Sequence, residues 1–222
     1  MGNFTLAIAD RPVRLPMTAQ RLVAFVALSR KPVSRLYVAG HLWPDASEPR
    51  AAASLRSALW RTRRAGNVVV RADAYDLELD PAVAVDVTAT LALARRVEDT
   101  AASISATEVG ELCRTDDLLP GWYDEAWLDI ERECFRVRRA HALERLTERL
   151  TAEGRLAEAL EAGVAAVAAD PMRETAHRAL IGVELAEGNT AQAVRHFHAW
   201  ERLSERSLGL EPSRLIRELV GL

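Results

Sequence analysis

Lysine is nearly missing from this chain. Lys31 stands alone among 29 Lys and Arg residues, beside 32 acids. In so alanine-rich a sequence, this reflects a GC-rich coding bias, so the preference for arginine carries little functional weight. Cysteine is scarce too: Cys113 and Cys134 lie far apart, without Cys-x-x-Cys spacing or a histidine pair to complete a zinc site, and read as two packed thiols. No apolar run approaches the roughly 18 residues of a spanning helix, and no basic leader precedes an apolar stretch, which predicts a cytoplasmic, membrane-free protein. A phosphate-cradling glycine loop, a metal cluster, a cofactor fingerprint and a Ser-His-Asp order in a suitable context are all missing, so neither an enzyme nor a cofactor is expected. With 49% hydrophobic and 27% charged residues, the composition excludes disorder. A length of 222 residues leaves room for two small domains, each with its own core.

The net charge of −3 hides an asymmetry. From Arg11 to Ala72 there are 12 basic residues against the acids Asp45 and Glu48, a local charge of +10, which leaves −13 for the rest of the chain. A basic front end joined to an acidic back end implies a nucleic-acid module followed by a module that meets proteins.

The front end reads as alternating strand and helix signals. Phe4 to Ile8 and Val13 to Leu15 alternate polar with apolar around Asp10-Arg11-Pro12, a short hairpin. Thr18 is placed to cap a helix running from Ala19 to Ser29, with Leu22, Phe25 and Val26 on one stripe. Ser34 is placed to cap a second helix, with Leu36, Ala39, Gly40 and Trp43 on one face, ended by Pro44. Pro49 opens a third helix that runs to about Ala65, and Gly66-Asn67 stops it. Val68 to Val70, then Tyr75, Leu77 and Leu79, form a second hairpin turning near Asp73-Ala74. Strands, three helices and a hairpin in this order predict a winged helix-turn-helix over residues 1–84.

At about 100° per residue the third helix has two unlike faces. Ala51, Ala52, Leu55, Ala58, Leu59 and Thr62 point inward, while Arg50, Ala53, Ser57, Trp60, Arg61 and Arg64 point away. Arginines can pair bidentately with guanine or clamp phosphate, and the serine hydroxyl can bond either. Arg50, Ser57, Arg61 and Arg64 are oriented closest to a major groove; Arg56, Arg63, Arg21 and the wing residue Arg71 suit flanking phosphates. Orientation alone does not separate base readers from backbone holders. Trp60 reads two ways, as packing against the wing or first helix, or as a contact to sugar or a thymine methyl. Asp73 and Asp76 imply a wing tip that stays shallow on DNA.

Residues 85–222 show only helical patterns, which makes the whole chain mainly α with a small β component. Glu153-Gly154-x-x-Ala157-x-Ala159 recurs as Glu187-Gly188-x-x-Ala191-x-Ala193, a 34-residue offset that is the period of a tetratricopeptide repeat. Asp170-Pro171 falls where one repeat turns into the next. Trp122, Trp127 and Tyr123 precede or enter a long helix from about Asp124 to Ala152, with core packing as the default and a partner surface as the alternative. Of the histidines near the repeat, His196 and His198 are two apart and cannot share a helix face, which argues against a metal pair.

Two blocks of residues resemble the Streptomyces antibiotic regulatory protein family of transcriptional activators. The first runs Pro32-Val33-Ser34-Arg35, His41-Leu42-Trp43-Pro44-Asp45 and Ala53-Ser54-Leu55-Arg56-Ser57-Ala58-Leu59-Trp60-Arg61, similar to the family's OmpR-like winged helix. The second runs Asp117-Leu118-Leu119-Pro120-Gly121, Glu131-Arg132, Ala169-Asp170-Pro171 and Leu208-Gly209-Leu210-Glu211-Pro212, and resembles its bacterial transcriptional activation domain. The resemblance implies an activator that binds tandem direct repeats in promoter DNA, recruits RNA polymerase with its sigma factor, and switches on a secondary-metabolite cluster; the concave surface of tetratricopeptide-like helices suits a homodimer on DNA, a grip on polymerase, or both. Two surfaces are candidates for that polymerase contact: the loop bearing Asp45, Ser47 and Glu48, and the exposed face of the repeats. The chain departs from the family at Ser207, where Glu is usual, and at Ala74, where Gly precedes the wing tyrosine; the second departure bears on the turn geometry. Three rival readings remain: a repressor or architectural factor without polymerase contact, a repeat scaffold whose winged helix no longer binds DNA, and an enzyme.

Overall fold

The computed structural model describes residues 4–64 and 68–221. The expected helix stop at Gly66-Asn67 lies outside the described residues. Two compact units emerge: residues 1–88 with 118–131, and residues 89–117 with 132–222. The front unit thus takes in a segment that the linear division at 84/85 assigned to the back.

In the front unit β1 (Ala7–Ile8) and β2 (Arg11–Pro12) pair antiparallel across Ala9 and Asp10, whose φ values of 48° and 61° match the twist that a two-residue hairpin needs. Helix α1 (Met17–Ser29) begins earlier than Thr18 implied: Pro16 is its N-cap residue, with its carbonyl accepting from Ala19 and Gln20 at 2.8 and 3.0 Å. Proline lacks an N–H, a loss that costs nothing at a helix entry. Two residues, Val33–Ser34, form β3, too short for any periodicity to reveal. Ser34 then caps α2 (Arg35–Leu42) by accepting from Tyr37 N at 3.2 Å, as its position required. After the turn at Pro44, α3 (Glu48–Arg63) carries Pro49 in its first turn. Strands β4 (Val70–Ala72) and β5 (Asp76–Leu79) make the wing, with β5 central between β4 and β3.

The front core joins Leu22, Val26, Val38, Leu42, Leu55, Ala58 and Leu77, all 2% exposed or less. One predicted face is corrected here. Helix α2 buries Val38, Ala39 and Leu42, leaving Leu36 64% exposed and Gly40 open, because the tertiary fit of Val38 and Leu42 in the core outweighs the stripe through Leu36. Trp122 stacks on Phe4 at 6.2 Å and Trp127 packs on Phe25 at 5.0 Å, so both tryptophans serve the front core while Tyr123 stays exposed.

From Val85 onward the described secondary structure is all helical: α4 (Asp86–Glu98), α5 (Ala106–Cys113), α6 (Ala126–Ala152), α7 (Leu156–Ala169), α8 (Glu174–Ala186), α9 (Thr190–Leu208) and α10 (Arg214–Leu219). The 34-residue recurrence has a backbone cause. Gly154 and Gly188 turn α6 into α7 and α8 into α9 with φ of 74° and 77°, a conformation that a Cβ disfavours. Small side chains let the repeat close: Ala159, Ala162, Ala166 and Ala176 are fully buried, and a Cβ on Gly163 would stand 3.3 Å from Leu180 Cα. The expectation of two packed thiols fails for Cys134, which is exposed on α6; Cys113 is partly buried, and burial pushes its thiol to about 11, so it is inert.

Candidate nucleic-acid interface

Helix α3 is fixed by its inner face. Ala51, Leu55, Ala58, Leu59 and Thr62 are buried, and the Thr62 hydroxyl is satisfied within the helix, donating to the carbonyls of Ala58 and Leu59 at 3.0 and 2.9 Å. With that face anchored, Arg50, Arg56, Ser57, Trp60, Arg61, Arg63 and Arg64 all stand exposed. Glu48, in the first turn, is the helix's only acid. Arg50, Arg56 and Arg63 have no ion pair among the described residues, so their charge is not neutralised by the protein itself.

Three of these side chains are braced. Arg61 Nη1 donates to Thr18 Oγ1 at 3.1 Å, tying the helix's outer face to α1. Trp60 is 57% exposed, and the Arg64 guanidinium sits 4.9 Å from its ring centroid. Such a cation–π pair holds a flat, cationic surface in place before any ligand arrives.

Two residues expected at phosphates behave differently from the rest. Arg21 is mostly buried, with Nη2 donating to the Leu42 carbonyl at 2.7 Å and Nε 2.5 Å from the Glu125 carboxylate. It joins the end of α2 to the segment after Pro120, and is not free to reach outward. Glu125 is fully engaged, since it also accepts from Trp127 Nε1. Arg71 remains half-exposed but pairs with Asp80 Oδ2 at 2.8 Å, which offsets its charge on the wing. Nothing in the linear sequence pointed to Glu125, 104 positions beyond its partner; Thr18 was read only as a cap.

The wing tip is a closed turn. Asp73 Oδ1 accepts from the N–H groups of Tyr75 and Asp76, both at 2.7 Å, and these backbone bonds hold its carboxyl below the usual range. Ala74 reaches this turn without positive φ, so the glycine usual in the family is not required. Arg35 Nη1 caps the same turn at the Asp73 carbonyl, 3.0 Å away. Asp45 and Ser47, in the short loop before α3, and Glu48, in the helix's first turn, are exposed, while Ala46 packs inward on the front core.

A family model for the bacterial transcriptional activator domain matches residues 79–221. The chain belongs to that family. No curated protein sequence matches it. Among solved structures it is similar to Mycobacterium tuberculosis EmbR in complex with a low-affinity phosphopeptide, at 20% identity and a TM-score of 0.80, over 99% of this chain and 62% of that one. That likeness establishes the fold: a winged helix followed by repeat-type helices. The chain thus spans less than two thirds of the length of the EmbR chain. None of the described helices is long and apolar enough to cross a membrane.

Proposed function

We propose that the front unit reads promoter DNA with the outer face of α3, and that the regulator acts as an activator there. The carrying observation is that face itself: seven exposed side chains, five of them arginines, backed by a helix face locked in the core. Arg50, Ser57, Arg61 and Arg64 are the groove-facing set, and Arg56 and Arg63 the phosphate-facing one. Trp60, held under Arg64, supplies a flat surface for a sugar or a thymine methyl. Arg71 makes a weaker phosphate contact because Asp80 competes for it, and Arg21 acts on DNA binding only by fixing α1 and α2.

Tandem direct repeats as the operator, two copies of the chain on DNA, recruitment of polymerase with its sigma factor and control of a secondary-metabolite cluster complete this reading; the family membership supports them. The exposed Asp45, Ser47 and Glu48 are one candidate polymerase surface. An interface worth only 1.4 kcal/mol raises occupancy tenfold in the unsaturated range, so a small loop suffices. Substituting the three together, then measuring operator binding and in vitro transcription side by side, tests this: transcription lost with binding intact supports the loop. Unchanged or lowered transcription by the unaltered protein at saturating occupancy replaces the activator with a repressor.

A further inference from the structure

Histidine spacing hid a constellation that the repeat assembles. His196 and His198 do point to different sides of α9: His198 pairs with Glu201 at 3.1 Å near the surface, while His196 turns inward to His177 of α8. His177 Nε2 lies 3.0 Å from the Pro171 carbonyl and Nδ1 lies 3.0 Å from His196 Nε2. On the far side, His196 Nδ1 is 3.4 Å from Glu184 Oε2. His177 and Glu184 are each 5% exposed, and His177 stacks on Trp200 at 4.4 Å between ring centroids.

Proton bookkeeping fixes the direction of this chain. The Pro171 carbonyl only accepts, so His177 Nε2 must carry a hydrogen, and in a neutral ring Nδ1 is then an acceptor. His196 Nε2 must donate to it. A neutral His196 is left with a bare Nδ1, facing a carboxylate oxygen that also only accepts and makes no hydrogen bond of its own. With His196 neutral and Glu184 ionised, two buried acceptors face each other; the Gln192 side chain bonds the carboxyl, and the gap between Oε2 and Nδ1 takes either a proton or a donor from outside.

The pair lies at the floor of a groove of about 670 Å³ on α7, α8 and α9. Its walls are Leu160, Val164, Leu180 and Ala199; its rim holds Glu187 and Arg195, the latter donating from Nη2 to Gln192 Oε1 at 2.7 Å. We propose that this groove is a binding site for one lysine side chain of a partner protein. The alkyl stem lies on the apolar walls, and the ammonium, admitted as Gln192 swings aside, donates to both Glu184 Oε2 and His196 Nδ1. A compact ammonium suits two acceptors on different residues; a guanidinium is built for the two oxygens of one carboxylate. Glu187 adds attraction at the mouth, against Arg195.

In the empty groove a proton on the Glu184 carboxyl takes the place of the ammonium. Burial favours that state, raising the Glu184 carboxyl above its ordinary range and lowering both histidines. The other charged groups acting on the cluster are Glu187 and Arg195 on Glu184, and Glu174 on His177. An arriving ammonium displaces the proton, so binding strengthens as pH rises, by up to about tenfold per unit while the pair titrates.

The test uses the full chain and two probes, N-acetyl-lysine N-methylamide and its norleucine isostere, with side-chain ¹⁵N–¹H correlations of His196 and His177 as readout. The lysine probe is expected to shift His196 saturably, more tightly at pH 8 than at pH 5, and the norleucine probe to leave it in place. Glu184→Gln, checked for a cooperative melt, should weaken the lysine probe about tenfold through loss of a charge-assisted bond. Equal response to both probes, full binding by Glu184→Gln, or affinity independent of pH overturns the proposal. The pH comparison is made on the unaltered chain and stands even where the variant does not fold. Because the readout involves no DNA, its failure leaves the reading of α3 untouched.

Discussion

Arg21→Ala separates a residue that would touch DNA in the proposed reading from one that only builds the surface beneath it. In the structure the guanidinium satisfies the Leu42 carbonyl at the end of α2 and neutralises Glu125, whose side chain is 9% exposed. Truncation leaves a buried carboxylate held by Trp127 Nε1 alone and a helix-end carbonyl without its donor. Breaking one side of a largely buried ion pair costs about 3–5 kcal/mol, and because the Arg21 side chain keeps 20% exposure the lower end applies, about 3. On a unit of this size that lowers the melting midpoint by roughly 10–20 °C. Trp122 and Trp127 sit in the affected core, so urea titration followed by tryptophan fluorescence reads it directly. Replacing both partners, Arg21→Met with Glu125→Leu, should recover much of the loss, since the uncompensated charge is gone. At a temperature where Arg21→Ala is folded, the salt slope of DNA binding should match the unaltered protein. A slope reduced by about one, with stability unchanged, would mean that Arg21 contacts a phosphate and that this account of it is wrong.

Arg61→Ala should cost about 1–3 kcal/mol on the preferred operator and relax preference at one position per half-site, whereas Arg56→Ala should weaken all sequences alike and reduce the salt slope by about one. A binding series over operator variants checks both. Glu108 closes a capping box with Ser105 at the start of α5, and bonds from the Ser105 backbone and hydroxyl, with Arg96, lower its carboxyl to about 2. A depressed carboxyl stabilises fully above its unfolded value and loses that contribution as pH falls toward 2, so the stability gap between the unaltered protein and Glu108→Gln should close between pH 4.5 and pH 2. Gly163→Ala should destabilise the back unit by about 1–3 kcal/mol, because its Cβ meets Leu180 backbone, while Gly182→Ala, which meets nothing within 4 Å, should stabilise α8 by about 0.5–1 kcal/mol. Chemical denaturation of the two variants in parallel gives the comparison.

What was legible in the sequence follows from the range over which each signal acts. The two faces of α3 repeat within one helix, so Leu55, Ala58 and Leu59 announced the core and Arg50, Ser57 and Arg61 the exposed side before any neighbour was known. The same holds for Gly154 and Gly188, whose positive φ marks a local turn and recurs at a fixed interval. The face of α2 was misread for a related reason: eight residues hold little more than two turns, and the tertiary fit of Val38 and Leu42 outweighed the stripe through Leu36. Strand β3 exists only because β5 lies beside it, and no two-residue pattern can state that.

Side chains that act across elements were the ones least open to sequence reasoning. Arg21 looked like any arginine on a basic stretch until Glu125 came from far down the chain to hold it, and His177 and His196 belong to helices that only the repeat geometry lays together. Charge counting treats such residues as surface, yet both cases bury a polar group whose partner decides its role. The exposed arginines of α3 are the complement: in the proposed reading they are free to meet DNA because a separate set of buried contacts, Arg21 with Glu125 and Thr62 with its own helix, keeps their scaffold fixed. Affinity for a rigid duplex depends on that fixity, since each arginine held in place before binding has less freedom left to lose on contact.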